Sequence, residues 1–268
     1  MASNEVLKQA EDAADRILRQ SKHVLPHLAH LFLVATFLED GFRMFFQWTE
    51  QADYIESTWN CGSILSNLFV ILNLFGQLVG GALVMIRMKV EIGVGTLFGV
   101  VILQTLAYSI LWNLHFFLRN LALSGGLLLL LAEIRDEGKS MFAGVPSVGG
   151  NKSRTYMQLT GRLLLVLMFL TVFSFEDVAH IIFFVIGLIL VLLVAIGFKA
   201  KLSALVLTVI LFVGNLLIND WWSLAHNSPL RDFIKYDFFQ MLSVIGGLLL
   251  VVTLGPGGVS FDEHKKMW

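Results

Sequence analysis

The sequence predicts an all-α polytopic membrane protein of about eight transmembrane helices, and three observations lead there. Apolar residues make up 56% of the 268-residue chain and charged residues only 15%, against a charged share of about a quarter in ordinary soluble domains. The mean hydropathy is +0.76. The apolar residues are gathered into eight long runs, and a helix of about 20 such residues spans a hydrocarbon core of roughly 30 Å. Finally, Lys and Arg are divided very unevenly between the two sets of connections. Seven spans is the alternative count, because the fifth and seventh runs are short and one of them is open to a re-entrant reading.

Taken in order, residues 1–25 are charged throughout and have no apolar h-region, so they are not a signal peptide. Val6, Leu7, Ala10, Ala14, Ile17, Leu18 and Leu25 recur at helical spacing, which predicts an amphipathic helix on the cytosolic membrane surface. Pro26 marks the bend into the first run, about Leu28–Trp48. The next three are about Gly62–Ile86, Ile92–Trp112 and Phe116–Ala132. A polar connection, Glu133–Tyr156, separates the halves. The last four runs are about Leu159–Phe175, Val178–Phe198, Leu202–Ile218 and Phe233–Leu254. The domain division is therefore 1–25, a surface helix; 26–134, four spans; 135–157, a cytosolic loop; 158–254, four spans; and 255–268, a tail.

All basic residues except Arg43, Arg119, Arg231 and Lys235 fall on one side of this arrangement, fifteen of the nineteen. Lys and Arg near span ends are retained in the cytosol, so both termini are predicted to be cytosolic. The opposite, lumenal side carries Glu50, Asp53, Glu56, Glu176, Asp177, Asp220 and Asp232, with Trp48, Trp59, Trp112, Trp221 and Trp222 at interfacial depth. The halves also echo one another. Leu123-Ser-Gly-Gly-Leu-Leu-Leu-Leu returns 121 residues later as Val244-Ile-Gly-Gly-Leu-Leu-Leu-Val, and Arg87-Met-Lys89 is answered by Lys199-Ala-Lys201. Two parallel four-helix repeats are the expectation.

Within the first run stand Glu39, Asp40 and Arg43. Charges at that depth cost several kcal/mol facing lipid, so they face protein or water and mark candidate functional positions. The i,i+4 spacing of Glu39 and Arg43 favours that pair over Asp40 and Arg43, leaving Asp40 for a ligand. With Trp59, Arg119, Lys235, Asp237 and Gln240 they form the predicted binding site in the lumenal half. A carboxylate there pairs with a free amine, and aromatic walls take the neighbouring side chains. The opposing reading is that these charges only pair with one another.

Other chemical signals are weak. Gly138-Lys139-Ser140 ends like a P-loop, but the Gly required five positions before Gly138 is Glu133. His23, His27 and His30 have helical spacing without an accompanying carboxylate or Cys in sequence, so no metal is predicted. No catalytic residue or cofactor is expected. Cys61 stands alone, which excludes an intramolecular disulfide. A net charge of -1, with the basic residues dispersed among loops, offers no nucleic-acid surface. Asn151-Lys-Ser153 is a glycosylation sequon, but it falls in the cytosolic loop where no glycan is added. The chain ends Lys265-Lys266-Met267-Trp268. This fits the dilysine signal read from the cytosol by the COPI coat for retrieval to the endoplasmic reticulum.

Across its whole length the sequence resembles the surfeit locus protein 4 family. The blocks that carry the resemblance include Phe37-Leu-Glu-Asp-Gly41, Trp59-Asn-Cys-Gly62, Tyr108-Ser-Ile-Leu-Trp112, Arg119-Asn-Leu-Ala-Leu123, Lys235-Tyr-Asp-Phe-Phe-Gln240 and Leu254-Gly-Pro-Gly-Gly-Val-Ser260. Departures gather in Ser147–Thr155, Val172–Phe184 and Leu216–Leu230. The resemblance implies a cargo receptor of the endoplasmic reticulum membrane rather than an enzyme. Such a receptor binds soluble secretory proteins through N-terminal signals in the lumen. It leaves in COPII vesicles, passes through the intermediate compartment to the Golgi, and is retrieved by COPI. Membrane lipids and the two coats are then its partners, and a second copy of the chain stays open. A small-molecule or lipid transporter of the early secretory pathway is the alternative.

Overall fold

The computed structural model describes residues 18–140, 152–169, 178–225, 228–255 and 257–262, with scattered positions before residue 18. The predicted surface helix falls largely outside these, as do Asn151, Lys265 and Lys266. The regular structure among the described residues is helical. The main helices are α1 (Leu25–Phe46), α2 (Trp48–Trp59), α3 (Gly62–Met85), α4 (Val90–Ala107), α5 (Leu114–Ser140), α6 (Lys152–Phe169), α7 (Val178–Ile196), α8 (Ala200–Ile218) and α9 (Pro229–Leu254). Single 3-10 turns follow α4 at Ile110–Trp112 and α8 at Trp221–Ser223.

A helix lies in each of the eight apolar runs, described in the fifth as far as Phe169. Among the described residues, five stretches are long and apolar enough to cross a membrane: Gly62–Met85, Val90–Ala107, Leu114–Arg135, Ala200–Ser223 and Leu230–Leu254. The chain is thus a polytopic membrane protein. α1 is 22 residues long but carries Glu39, Asp40 and Arg43, so its composition alone does not suit lipid.

Two boundaries differ from the sequence reading. Residues 48–59, taken as part of an acidic loop, form α2, because Ala52 and Ile55 recur at helical spacing and are buried. Asn60 and Gly62, both at positive φ, then turn the chain into α3. The connection expected to begin at Glu133 begins later. α5 continues past it, and Glu133 is buried inside the fold.

Each half closes into a ring of neighbours. α1 packs on α3, α3 on α4, α4 on α5 and α5 on α1; α6 packs on α7, α7 on α8, α8 on α9 and α9 on α6. The halves meet where α1 packs on α9, α5 on α6, and α5 on α9. At this seam the Gly pairs bring backbones together. A Cβ on Gly125 would lie 2.8 Å from the Gly161 carbonyl and press on the Leu165 N–H, while one on Gly246 would lie 2.7 Å from the Ala29 carbonyl and press on the Leu33 N–H. Gly161 and Leu165 each stand 132 positions after Ala29 and Leu33, so the two contacts correspond. Gly126 and Gly247 face each other between them.

The turns α3–α4 and α7–α8 correspond as well, in a register two residues from the one the lysines suggest. Met88 N–H donates to Leu83 O and Phe198 N–H to Leu193 O, the long bond of a Schellman helix end. The left-handed positions are Arg87 and Lys89 in one turn, Gly197 and Lys199 in the other. Arg87 thus answers to Gly197, not to Lys199. A basic side chain on a turn is free to shift along it, whereas the backbone at a left-handed position is not.

The core runs through the middle of the bundle, with Leu33, Leu97, Leu127, Leu130, Ile245 and Leu250 essentially sealed. α9 is the most buried of the five long apolar stretches and that of α8 the least, which makes α9 the central post.

Candidate functional site

α1, α3, α4, α5 and α9 converge on a knot of polar side chains at one end of the first ring. Asp40 is its centre. Its Oδ1 accepts from Arg43 Nη2, and its Oδ2 accepts from the amides of Gln77 on α3 and Gln104 on α4, each at 2.7 Å. One carboxylate therefore joins three helices, with a cation and two amides as donors. Gln77 is sealed from solvent.

Glu39 takes a different partner. Its Oε1 lies 3.2 Å from Lys235 Nζ on α9, and Oε2 is 3.9 Å from Arg43 Nε. Neither oxygen receives a well-directed hydrogen bond, although the side chain is only 2% exposed. The i,i+4 preference is thus overturned. Arg43 bonds the i,i+3 acid Asp40, because Glu39 is drawn across the interface to Lys235. On α5, Arg119 pairs with Asp237 of α9.

Tyr236 stands among these charges. Arg43 lies over its ring at 5.7 Å, and its hydroxyl accepts from Gln240 Nε2 at 2.5 Å. Trp221 backs Arg231 at 5.2 Å and Lys235 at 5.7 Å, within cation–π range. Three carboxylates (Glu39, Asp40, Asp237) and three cations (Arg43, Arg119, Lys235) leave the knot neutral. Exposure is greatest at Asp237, whose side chain is 38% exposed, and Lys235 at 32%, with Arg43 next at 27%.

Of the residues singled out in the sequence, Glu39, Asp40, Arg43 and Lys235 touch one another, Arg119 and Asp237 pair beside them, and Gln240 joins through Tyr236. Trp59 does not join. It is 54% exposed and donates to the Ala107 carbonyl at 2.8 Å, closing the last turn of α4. Sequence reading missed Gln77, Gln104 and Tyr236. The signal was there for two of them: amides embedded in apolar runs need partners as surely as charges do.

A second buried pair lies at the other end. His30 Nε2 and Glu133 Oε2 are 2.5 Å apart, linking α1 to α5. The carboxylate missing from the histidine pattern is thus 103 residues away in the chain. Among the described residues no group of three metal-ligating side chains forms.

The comparisons with known proteins agree with this whole-chain picture. The Surfeit locus protein 4 homolog of Drosophila melanogaster is 56% identical over 99% of this chain and 98% of its own length. The homolog of Schizosaccharomyces pombe is 38% identical over 97% of the chain and 88% of its own. The ER-derived vesicles protein ERV29 of Saccharomyces cerevisiae is 34% identical over 94% of the chain and 80% of its own. No solved structure matches. The family model of the SURF4 family matches residues 4–268, and the chain belongs to that family.

Proposed function

We propose that this protein is a cargo receptor of the endoplasmic reticulum membrane, binding soluble secretory proteins on its lumenal side for COPII export and returning by COPI through Lys265 and Lys266. The name of the Saccharomyces cerevisiae relative, an ER-derived vesicles protein, supports the compartment. The observation that carries the binding reading is the shape of the charge knot. It is neutral as a whole, and its most exposed members, Asp237 and Lys235, stand beside the aromatic rings of Phe116, Tyr236 and Trp221. A short peptide with a free amine finds there one reachable carboxylate and a ring surface. Asp40 is not that carboxylate: three donors already occupy it. Its role is to hold the edge in place.

The same reading has eight spans in two parallel four-helix repeats with both termini in the cytosol. The matching Gly125 and Gly246 contacts and the two Schellman turns support the duplication. Its role is binding and carriage, without covalent chemistry.

The test is charge removal at the edge. Asp237→Asn keeps a carbonyl for Arg119 but loses the charge that receives an amine. Recovery of cargo with the purified protein is expected to fall about tenfold, the worth of one charge-assisted contact, while thermal stability changes little. Undiminished cargo recovery would remove Asp237 from the site. Separately, replacing Lys265 and Lys266 by Ser is expected to move the steady-state distribution, followed by microscopy, from the endoplasmic reticulum to the Golgi. An unmoved distribution would leave retrieval to another signal.

A lipid-handling role is the second reading, favoured by a cavity of about 270 Å³ between α4 and α5, lined by Ile102, Thr105, Leu106, Phe117, Asn120 and Leu121 among others. Its polar residues are uncharged. Transfer of a fluorescent neutral lipid between vesicles, faster with the reconstituted protein than without, would favour this role over cargo binding.

A further inference from the structure

After α9 the chain does not leave the bundle. It turns at Gly255, whose φ is +80°, and residues 257–262 lie across the ends of α6, α7 and α8. The Asp262 carboxylate accepts the backbone N–H groups of Lys199 at 2.8 Å and Ala200 at 3.0 Å, so it caps the N-terminus of α8 from 62 residues away. Its own N–H donates to the Gly197 carbonyl at 3.1 Å. The ring of Phe261 lies against that of Phe198 with centroids 5.6 Å apart. Arg162, buried in α6, donates from Nη2 to the Val259 carbonyl at 3.0 Å. Ser260 is buried beneath it, and a Cβ on Gly257 would meet the Gln158 side chain.

A helix N-terminus attracts a carboxylate through unpaired N–H groups and the helix dipole. In α8 that carboxylate comes from far along the chain, and the N-cap residue, Lys199, has no side-chain oxygen with which to compete. The strap is thus built into the α7–α8 turn. Six residues remain beyond Asp262. At no more than about 3.4 Å per residue, a tether of three residues reaches at most roughly 10 Å from the Asp262 anchor and one of four at most roughly 14 Å.

We propose that the segment 257–262 is a docked strap that withholds the C-terminal Lys-Lys signal from the coat, and that the coat binds in full strength only when Asp262 leaves the α8 N-terminus. This rests on the retrieval reading given above. The physical ground is mass action. A site that is competent only while the strap is undocked binds with an apparent affinity reduced by the undocked fraction. With Asp262 docked, Lys265 and Lys266 are tethered by only three and four residues to the helix ends, so a coat subunit reading them would have to approach the bundle and the membrane surface together. Undocking removes that obstruction and lets the tail extend from Gly255, more than doubling its reach.

The test compares three forms of the full-length protein in detergent with a free peptide of residues 257–268, all titrated with purified COPI coat. The unaltered protein is expected to bind about five- to tenfold more weakly than the peptide, the factor that one helix cap supplies. D262A, which cannot cap α8, should close most of that gap. A flexible six-residue insert between Asp262 and Glu263 should close it too, with the strap still docked and the fold undisturbed. Equal affinity of the unaltered protein and the peptide overturns the strap. So does an insert that leaves binding unchanged. Replacing Lys265 and Lys266 by Ser in the peptide must abolish binding. Should that peptide bind as well as the original, the retrieval reading fails instead, and the two failures are told apart.

Discussion

Asp40→Ala is expected to lower the stability of the purified protein by about 3–5 kcal/mol, the cost of breaking a buried ion pair from one side. Thermal unfolding in detergent measures it. The carboxylate collects Arg43 and the amides of Gln77 and Gln104, so its loss strands a cation and two donors at once. Glu39 does not replace it, because Arg43 Nε is 3.9 Å away and Lys235 already claims Oε1. Asp40→Asn should cost less, since its carbonyl still accepts. Replacing Arg43 by Gln in the Asp40→Asn background should recover most of the remaining loss. A protein with Asp40→Ala that melts normally but loses cargo would reverse this assignment and make Asp40 the cargo-facing acid.

Gly246→Ala is the second large effect. The added methyl would stand 2.7 Å from the Ala29 carbonyl and press on the Leu33 N–H. Both are backbone atoms of α1, which cannot swing aside as a side chain does. α1 and α9 must therefore separate along the seam between the halves. Overpacking costs about 1–3 kcal/mol where side chains yield, and at least the upper part of that range is expected here. Gly125→Ala should behave alike against Gly161 and Leu165. Gly99→Ala supplies the control: nothing lies within 4 Å of it, so the helix should gain up to about 1 kcal/mol from the better helix former. Equal melting temperatures for Gly246→Ala and Gly99→Ala would show that the seam is slack.

These two residues also show what was legible beforehand. The repeated Gly-Gly in two Leu-rich runs was visible, and small residues there allow helices to approach closely. Which helix it admits was not, because composition does not name a neighbour. The charges of the knot stood out against apolar surroundings, so Glu39, Asp40, Arg43 and Lys235 were found. Their pairing was misread. An i,i+4 rule describes an isolated helix, and it lost here to Lys235, which only the packing of α9 on α1 supplies. The helix of residues 48–59 was hidden because its buried stripe is just Ala52 and Ile55. His30 and Glu133 stayed apart in the reading because 103 positions separate them.

The Glu39–Lys235 contact sets a timetable for biosynthesis. α1 emerges first from the ribosome with two acids and one base, too polar to be released into lipid as a lone helix. Gln77 and Gln104 follow within one further hairpin and settle Asp40. Lys235 arrives almost two hundred residues after Glu39. At about 5–20 residues per second, that is roughly ten to forty seconds with the carboxylate uncompensated. The first helix must therefore be held at the insertion machinery, or by a membrane chaperone, until the last one is made. Truncation before α9 leaves Glu39 of α1 without Lys235, the kind of exposed charge by which quality control distinguishes an unfinished membrane protein from a finished one.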